Sequence, residues 1–294
     1  MQQFINVTLS GLVEGMIYAA FALALVLIWR STRIVNFAQG SMAAATTFIA
    51  LALINAGYSY WLGFVVALVS GFVIGAIVER VIIRPVEGGP ELNAVIVTLG
   101  LFVALQALIA IIFGSSFESF PAPFGVRGFS IGDTTVALTP NSLYVLGAVL
   151  VTMLLLMALF RYTRVGLAMR ASAFGQEVAR LLGVRVGRML TLGWALAAVV
   201  GSLSGLLIAG GGLVYPAYMD TLIVYGFVAA VLGGLDSPIG AVVGGLLLGL
   251  ALSYVSGFVP SGSALVNLAA LVILMVVLLV RPGGLFSSTT ARRA

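Results

Sequence analysis

Charge interrupts this sequence so seldom that apolar runs of membrane-spanning length follow one another almost from end to end. A helix crossing a bilayer needs about 20 mostly apolar residues, because each residue rises ~1.5 Å through a hydrocarbon core ~30 Å thick. Nine segments meet or approach that length: roughly 8–28, 35–55, 61–83, 93–113, 142–160, 189–209, 221–235, 239–258 and 264–280. The seventh is short for a crossing and breaks where Gly233-Gly234 meets Asp236-Ser237-Pro238. It is read either as a short crossing or, with the eighth, as a re-entrant hairpin, so eight to nine spans are expected. Lipid offers the backbone no hydrogen bonds, and spanning segments must satisfy their own. The expected fold is therefore an all-α polytopic transmembrane bundle, a single domain over 1–294. Only 8% of residues are charged, against roughly 25% in soluble domains, and no stretch is polar enough to form a separate soluble domain. The first apolar run has no positive flank before it and is read as a retained span rather than a signal peptide.

All fourteen basic residues are arginine, and their placement orients the bundle. Cytoplasmic loops accumulate Lys and Arg. Arg30 and Arg33 follow the first span, Arg80 and Arg84 the third. Arg161, Arg164, Arg170, Arg180, Arg185 and Arg188 follow the fifth, and Arg281, Arg292 and Arg293 the ninth. If spans alternate, these share one side; only Arg127, near Glu118 and Asp133, lies on the other. The expected topology puts the N-terminus outside and the C-terminus in the cytoplasm. Residues 114–141 then form an extracytoplasmic cap, proline-rich and irregular, with a short hairpin around Val126–Val136. Residues 161–188 form a cytoplasmic loop whose pattern suits two short amphipathic helices.

The composition also narrows the chemistry. The chain has no cysteine and no histidine, which removes disulfides, thiolate nucleophiles and the usual zinc ligands. No acid–base cluster suggests an enzyme, no metal or cofactor site is expected, and no basic stripe with interleaved aromatics suggests nucleic acid. Glu14 lies inside the first span with no nearby basic residue in sequence. A carboxylate at bilayer depth costs ~2.5–3.5 kcal/mol unless it is paired or hydrated. Glu14 is thus either close to the outer surface or facing a pathway or partner. Asn36 is placed to cap the second helix. Gly210–Gly212 and Gly233-Gly234 are candidates for unwound backbone lining a path, although glycine in spans usually serves close helix packing, as Gly201-x-x-x-Gly205 and Gly240-x-x-x-Gly244 suggest. Asp220 and Asp236 stand at the ends of the short seventh segment. The 164–184 stretch reads either as a helix lying on anionic lipid or as a docking element for a cytoplasmic partner.

Several motifs together carry a resemblance. Gly15-Met-Ile-Tyr18 followed by Ile34-Val-Asn-Phe-Ala-Gln-Gly40 resembles the opening of the permeases of branched-chain amino acid ABC importers. Thr163-Arg-Val-Gly-Leu-Ala-Met-Arg-Ala171 and Ala179-Arg-Leu-Leu-Gly-Val184 resemble that family's cytoplasmic coupling region. Val231-Leu-Gly-Gly-Leu-Asp-Ser-Pro-Ile-Gly-Ala241 and Arg281-Pro-Gly-Gly-Leu-Phe286 are similar to its later segments. The matches run in order over almost the whole chain, and the type is the first, H-type, of two paired permeases. Two positions depart from the pattern: Gln39 stands where the family often has histidine, and Glu14 where a small neutral residue is usual.

The resemblance implies a bacterial inner-membrane permease that is not itself an enzyme. Its partners would be a homologous second permease, two cytoplasmic ATP-binding subunits and an extracytoplasmic substrate-binding protein, with membrane lipid around them. The chain has no phosphate-binding loop, and indeed no lysine, so ATP hydrolysis would belong to the partners. The pathway or permease interface would draw on Glu14, Tyr18, Asn36, Gln39, Gly211, Tyr215, Gly233, Gly234 and Asp236. ATPase coupling would draw on Arg164, Arg170, Glu177, Arg180, Gly183 and Arg185. Competing readings are an ABC permease for urea, short amides or monosaccharides, and an ion-coupled secondary transporter. The arginine asymmetry yields a direct test: reporter fusions after Arg170 and Arg293 should report cytoplasm, and one at Gly125 the outside. If Gly125 and Arg170 report the same side, the alternation fails.

Overall fold

The computed structural model describes residues 1–87, 89–131, 134–281 and 283–286; Asp133, Pro282, Arg292 and Arg293 lie outside the described residues. The architecture is a nearly all-helical bundle. Its helices are α1 (Gln2–Thr32), α2 (Gln39–Asn55), α3 (Tyr60–Ile77), α4 (Glu91–Phe113), α5 (Pro140–Tyr162), α6 (Arg164–Phe174), α7 (Gln176–Leu181), α8 (Val186–Ala209), α9 (Asp220–Gly233), α10 (Pro238–Phe258) and α11 (Gly262–Val280). An apolar helix stands at each of the nine expected positions. Among the described residues seven are long and apolar enough to cross a membrane, while α2 has 17 residues and α9 has 14.

The short second helix has a local cause. The Asn36 side-chain oxygen accepts from the Ala38 N–H at 3.0 Å, and Thr98 donates to the Val35 carbonyl at 3.3 Å. These bonds hold Val35–Ala38 out of the helix, which begins at Gln39 rather than at Val35. The cap departs from a purely helical fold in two places. Strand β1 (Glu118–Ser119) pairs antiparallel with β4 (Leu213–Val214), so the cap is stitched to the α8–α9 connection. Strands β2 (Ser130–Ile131) and β3 (Thr134–Thr135) form the expected hairpin, with Ser130 opposite Thr135.

Helix α1 is the axis of the bundle. Its Gly15–Ile28 stretch is buried apart from Met16. Small residues let helices approach where water cannot drive them together. Gly11, Gly15 and Ala19, spaced one turn apart, meet Gly245, Gly249 and Ser253 of α10 so closely that a Cβ on Gly245 would collide with the Ala19 backbone. A Cβ on Gly249 would collide with Gly15. The pairs singled out in the sequence are also contacts: Gly201 meets Gln39, and Gly240 and Gly244 meet α9 at Gly233 and Ala229. Helices α4 and α11 lie at the periphery, with side chains such as Ile111 and Leu279 each 79% exposed, a surface suited to lipid rather than water.

The arginines gather at one end of the bundle. There Arg33 bonds Asp236 between α9 and α10. Beyond α3 the chain widens into a π-helical turn, Val78–Ile83, and then tightens into a 3₁₀ turn, Arg84–Val86. Glu79 in that π turn is fully buried. The Arg84 guanidinium donates to both of its carboxylate oxygens at 2.9 Å, and Thr191 Oγ1 donates to it at 2.7 Å. Arg84 also reaches the Gly187 carbonyl at 2.8 Å, so α3 is bolted to the start of α8. Arg127 lies in the cap at the opposite end, where Asn6 accepts from the Ala137 N–H. Removing one partner of a buried pair leaves an uncompensated charge, a loss of ~3–5 kcal/mol. Arg84→Ala should therefore lower thermal stability in detergent markedly, whereas Glu79→Leu combined with Arg84→Leu should recover much of it. A single variant as stable as the parent would contradict the bolt.

Candidate functional site

Four helices turn polar stripes toward one another at the arginine-poor end. Asn6, Ser10, Glu14 and Tyr18 repeat every four residues and so lie on one face of α1. Thr221 and Tyr225 of α9, Ser253 and Ser256 of α10, and Ser263 and Asn267 of α11 complete the walls of a groove of ≈ 590 Å³. Its rim is the cap end, where the Gln3 side chain donates to the Gly257 carbonyl at 2.9 Å. Its floor is a T-shaped pair of Tyr18 and Tyr225, with ring centroids 5.2 Å apart. Below that pair Phe21 of α1 fits against Gly226 of α9, where no Cβ stands in its way. The groove thus opens at one end and closes partway through.

Glu14 is exposed in this groove and carries the lining's one formal charge. It sits twelve residues along α1, ~18 Å from the helix start, within a helix ~46 Å long. Tyr18 donates its hydroxyl toward Glu14 at 3.4 Å, and Tyr225 donates to the Asn267 carbonyl oxygen at 2.5 Å. The result is a line of hydroxyls, amides and one carboxylate able to accept from and donate to a small polar solute. Among the described residues no group of three acidic side chains comes together as a metal site would require.

The sequence candidates separate into distinct places. Glu14 and Tyr18 share the groove. Asn36 and Gln39 do not: they form a fully buried network in which Asn36 donates to Gln39 Oε1 at 3.1 Å and Gln39 donates to the Ala197 carbonyl at 2.9 Å. Gly211, at φ 81°, and Tyr215, whose ring is tilted against Phe117 with centroids 4.9 Å apart, lie in the α8–α9 connection stitched to the cap. Gly233, Gly234 and Asp236 form the tight α9–α10 turn at the arginine-rich end. Gly234 takes φ 99° there, and the Leu285 and Phe286 N–H groups donate to the Leu232 and Gly233 carbonyls at 2.8 and 3.2 Å. Those bonds satisfy carbonyls that a helix end leaves unpaired. Of the polar lining, sequence reasoning found only Glu14 and Tyr18; it missed Asn6 and Ser10 on α1 and all the polar residues of α9, α10 and α11. For the α1 members the available signal was the four-residue repeat running Asn6, Ser10, Glu14, Tyr18.

The coupling candidates lie together at the arginine-rich end. Arg164 opens α6, whose N-terminus is capped by Thr163 accepting from the Gly166 N–H at 3.0 Å. Arg164, Arg170, Glu177, Arg180 and Arg185 are all exposed. Helix α7 ends in a Schellman turn: the Val184 N–H donates to the Ala179 carbonyl at 2.9 Å and the Gly183 N–H to that of Arg180 at 3.0 Å. Gly183 has φ 81°, a conformation that costs other residues ~1–2 kcal/mol. Ala179 anchors the helix on Val186 and Leu190, and Gln176 donates to Glu87 at 3.2 Å. The outer side presents Phe174, Val178 and Leu181, which are 97%, 60% and 88% exposed.

A family model described as branched-chain amino acid transport system / permease component matches residues 7–280. The chain is 29% identical to the high-affinity branched-chain amino acid transport system permease protein LivH of Escherichia coli, over 96% of this chain and 95% of that one. It is also 29% identical to the corresponding BraD protein of Pseudomonas aeruginosa, over 97% and 95%. A probable LivH permease of Methanocaldococcus jannaschii is 25% identical, over 94% and 90%. The fold resembles that in a structure of PsaBC from Streptococcus pneumoniae in complex with Fab, with TM-score 0.52 and 16% identity, covering 96% of this chain and 93% of that one. The chain is a multi-pass membrane protein and belongs to the family of branched-chain amino acid transport system permease components.

Proposed function

We propose that the chain is the translocating permease of an ABC importer in the bacterial inner membrane, moving branched-chain or related amino acids inward with ATP hydrolysed by partner subunits. The observation that carries the reading is the polar stripe on α1, open at the surface of an isolated chain. Glu14 facing lipid at that depth would cost ~2.5–3.5 kcal/mol. Water or protein must therefore cover the groove, and a homologous second permease is the partner that would close it into a path. In this reading the chain crosses nine times, with α2 and α9 as the short crossings. The N-terminus is outside and the C-terminus cytoplasmic, in keeping with the arginine asymmetry. The cap receives a substrate-binding protein, and two ATP-binding subunits dock on α6 and α7 across the complex. The apolar side chains exposed on α7 beside Arg180 and Arg185 support a protein partner there. An ion-coupled carrier is less well supported, because the groove lining holds one carboxylate and no second one to pair with it.

Two substitutions test the reading at opposite ends. Glu14→Gln keeps size and removes charge; uptake by the assembled transporter should fall about tenfold while membrane abundance holds. Uptake at the parental rate would remove Glu14 from the path. Gly183→Val leaves every charge on α7 in place but forces a β-branched residue into a left-handed turn, costing at least ~1 kcal/mol. The cognate ATP-binding subunits should then co-purify poorly, or hydrolyse ATP without uptake in proteoliposomes. Normal assembly and normal uptake would dismiss α7 as the coupling element.

A further inference from the structure

A second groove lies at the arginine-rich end on the side opposite in character: apolar walls, basic mouth. It runs between α5 and α10 with α1 as its floor, and encloses ≈ 450 Å³. Helix α5 is held to the bundle through α1 and α6 rather than through α10, which leaves the slot open along its length. Leu27, Leu156, Met157 and Val242, all on helices long and apolar enough to cross a membrane, line it with hydrocarbon. Three guanidiniums surround the mouth: Arg30 from α1, Arg161 from the end of α5 and Arg170 from α6.

The charges are unbalanced. Among the described residues the ion pairs are Arg33 with Asp236 and Arg84 with Glu79, so none of the three mouth arginines has a carboxylate within salt-bridge reach. Arg30 interacts electrostatically with both Arg33 and Arg170, and Asp236, the carboxylate near it, is engaged by Arg33. Gathering like charges at the edge of a low-dielectric slot is unfavourable unless an anion sits among them. Arginine forks match phosphate oxygens in pairs, and basic pockets between spanning helices suit anionic headgroups. An anion alone would leave the slot beneath it unfilled. An acyl chain fills it, and joins the two halves of the site in one molecule.

We infer that this groove is a binding site for an anionic phospholipid, its phosphate held by Arg30, Arg161 and Arg170 and one acyl chain lying between α5 and α10. The inference does not depend on what the protein transports. The test is native mass spectrometry of the purified full chain titrated with phosphatidylglycerol or with phosphatidylcholine of the same acyl composition. Phosphatidylglycerol should be retained about tenfold or more over phosphatidylcholine. Arg30→Gln with Arg170→Gln should abolish that preference, whereas Arg188→Gln, at the same end but outside the groove, should keep it. Val242→Trp fills the slot and leaves the arginines in place, and should also lose the lipid. If the double variant does not run as a single species on gel filtration, Arg161→Gln alone should give a severalfold loss. Equal retention of the two lipids, or full retention in the arginine variants, overturns the site. Retention in Val242→Trp, or displacement by glycerol phosphate, would reduce it to a phosphate-binding surface and overturn the lipid assignment.

Discussion

Everything in this bundle is arranged around the seam where α1 meets α10. Without a hydrophobic drive between helices inside lipid, association rests on close contact, and only small residues allow it here. Gly11, Gly15 and Ala19 against Gly245, Gly249 and Ser253 bring two backbones together. That contact draws α1 into the centre, and the remaining helices then surround it. The position of the polar stripe follows directly. Ser10, Glu14 and Tyr18 each precede a seam residue, so they lie ~100° around the same helix, beside the seam and not opposite it. The wall of the groove is therefore the edge of the α1–α10 contact itself. A larger residue in the seam would widen the groove as well as weaken the packing.

The same seam accounts for what was legible in the sequence. Apolar length and arginine placement are local properties, and they located nine helices, the cap and the two helices of the 161–188 loop. Glycine spacing of four pointed to close packing, which Gly240 and Gly244 show against α9. What stayed hidden depends on neighbours far along the chain. The shortening of α2 arises because Asn36 turns its side chain back on Ala38 while Thr98 of α4 takes the Val35 carbonyl. Asn36 read as a cap in the sequence, but the N-cap is Ala38, and Asn36 bonds the turn ahead of the helix instead. Tyr225 and Asn267 look like ordinary span residues until α9 and α11 bring them beside Tyr18.

Several family-motif residues lie outside the groove. Asn36 and Gln39 have their hydrogen bonds filled by each other and by α8, which makes them the lock on an unwound segment. Gly233 and Gly234 shape a turn, and the segment after Arg281 caps the helix end they make. Sequence motifs of this kind mark positions where backbone geometry is demanding, and a demanding turn looks the same in sequence as an exposed one. The groove residues are the opposite case. They need only be polar on one helical face, so they form a weak pattern in sequence and a distinct feature in space.

The two ends of the molecule are joined by stiff elements, which bears on how events at α7 could reach the groove. Helix α7 is tied by Gln176 to Glu87, just past Arg84, and Arg84 is bolted through Glu79 and Thr191 to both α3 and α8. Arg33, just past the end of α1, is bonded to Asp236 at the head of α10. Helix α1 then runs unbroken and without proline from Arg30 past Glu14. A kink would need proline, a bulge or an inserted side chain, and α1 has none in its regular hydrogen-bonded course. A tilt imposed at Arg30 is thereby delivered to Glu14 and Tyr18 as a displacement, with Tyr18 meeting Tyr225 at the groove floor. Because α9 is short and joined to α10 by a glycine turn, it can yield to that displacement while α1 does not. Just below the tyrosine floor the Phe21 ring fills the space a side chain on Gly226 would take, so α1 and α9 are keyed together at that level and a displacement of α1 is passed to α9 beside Tyr225.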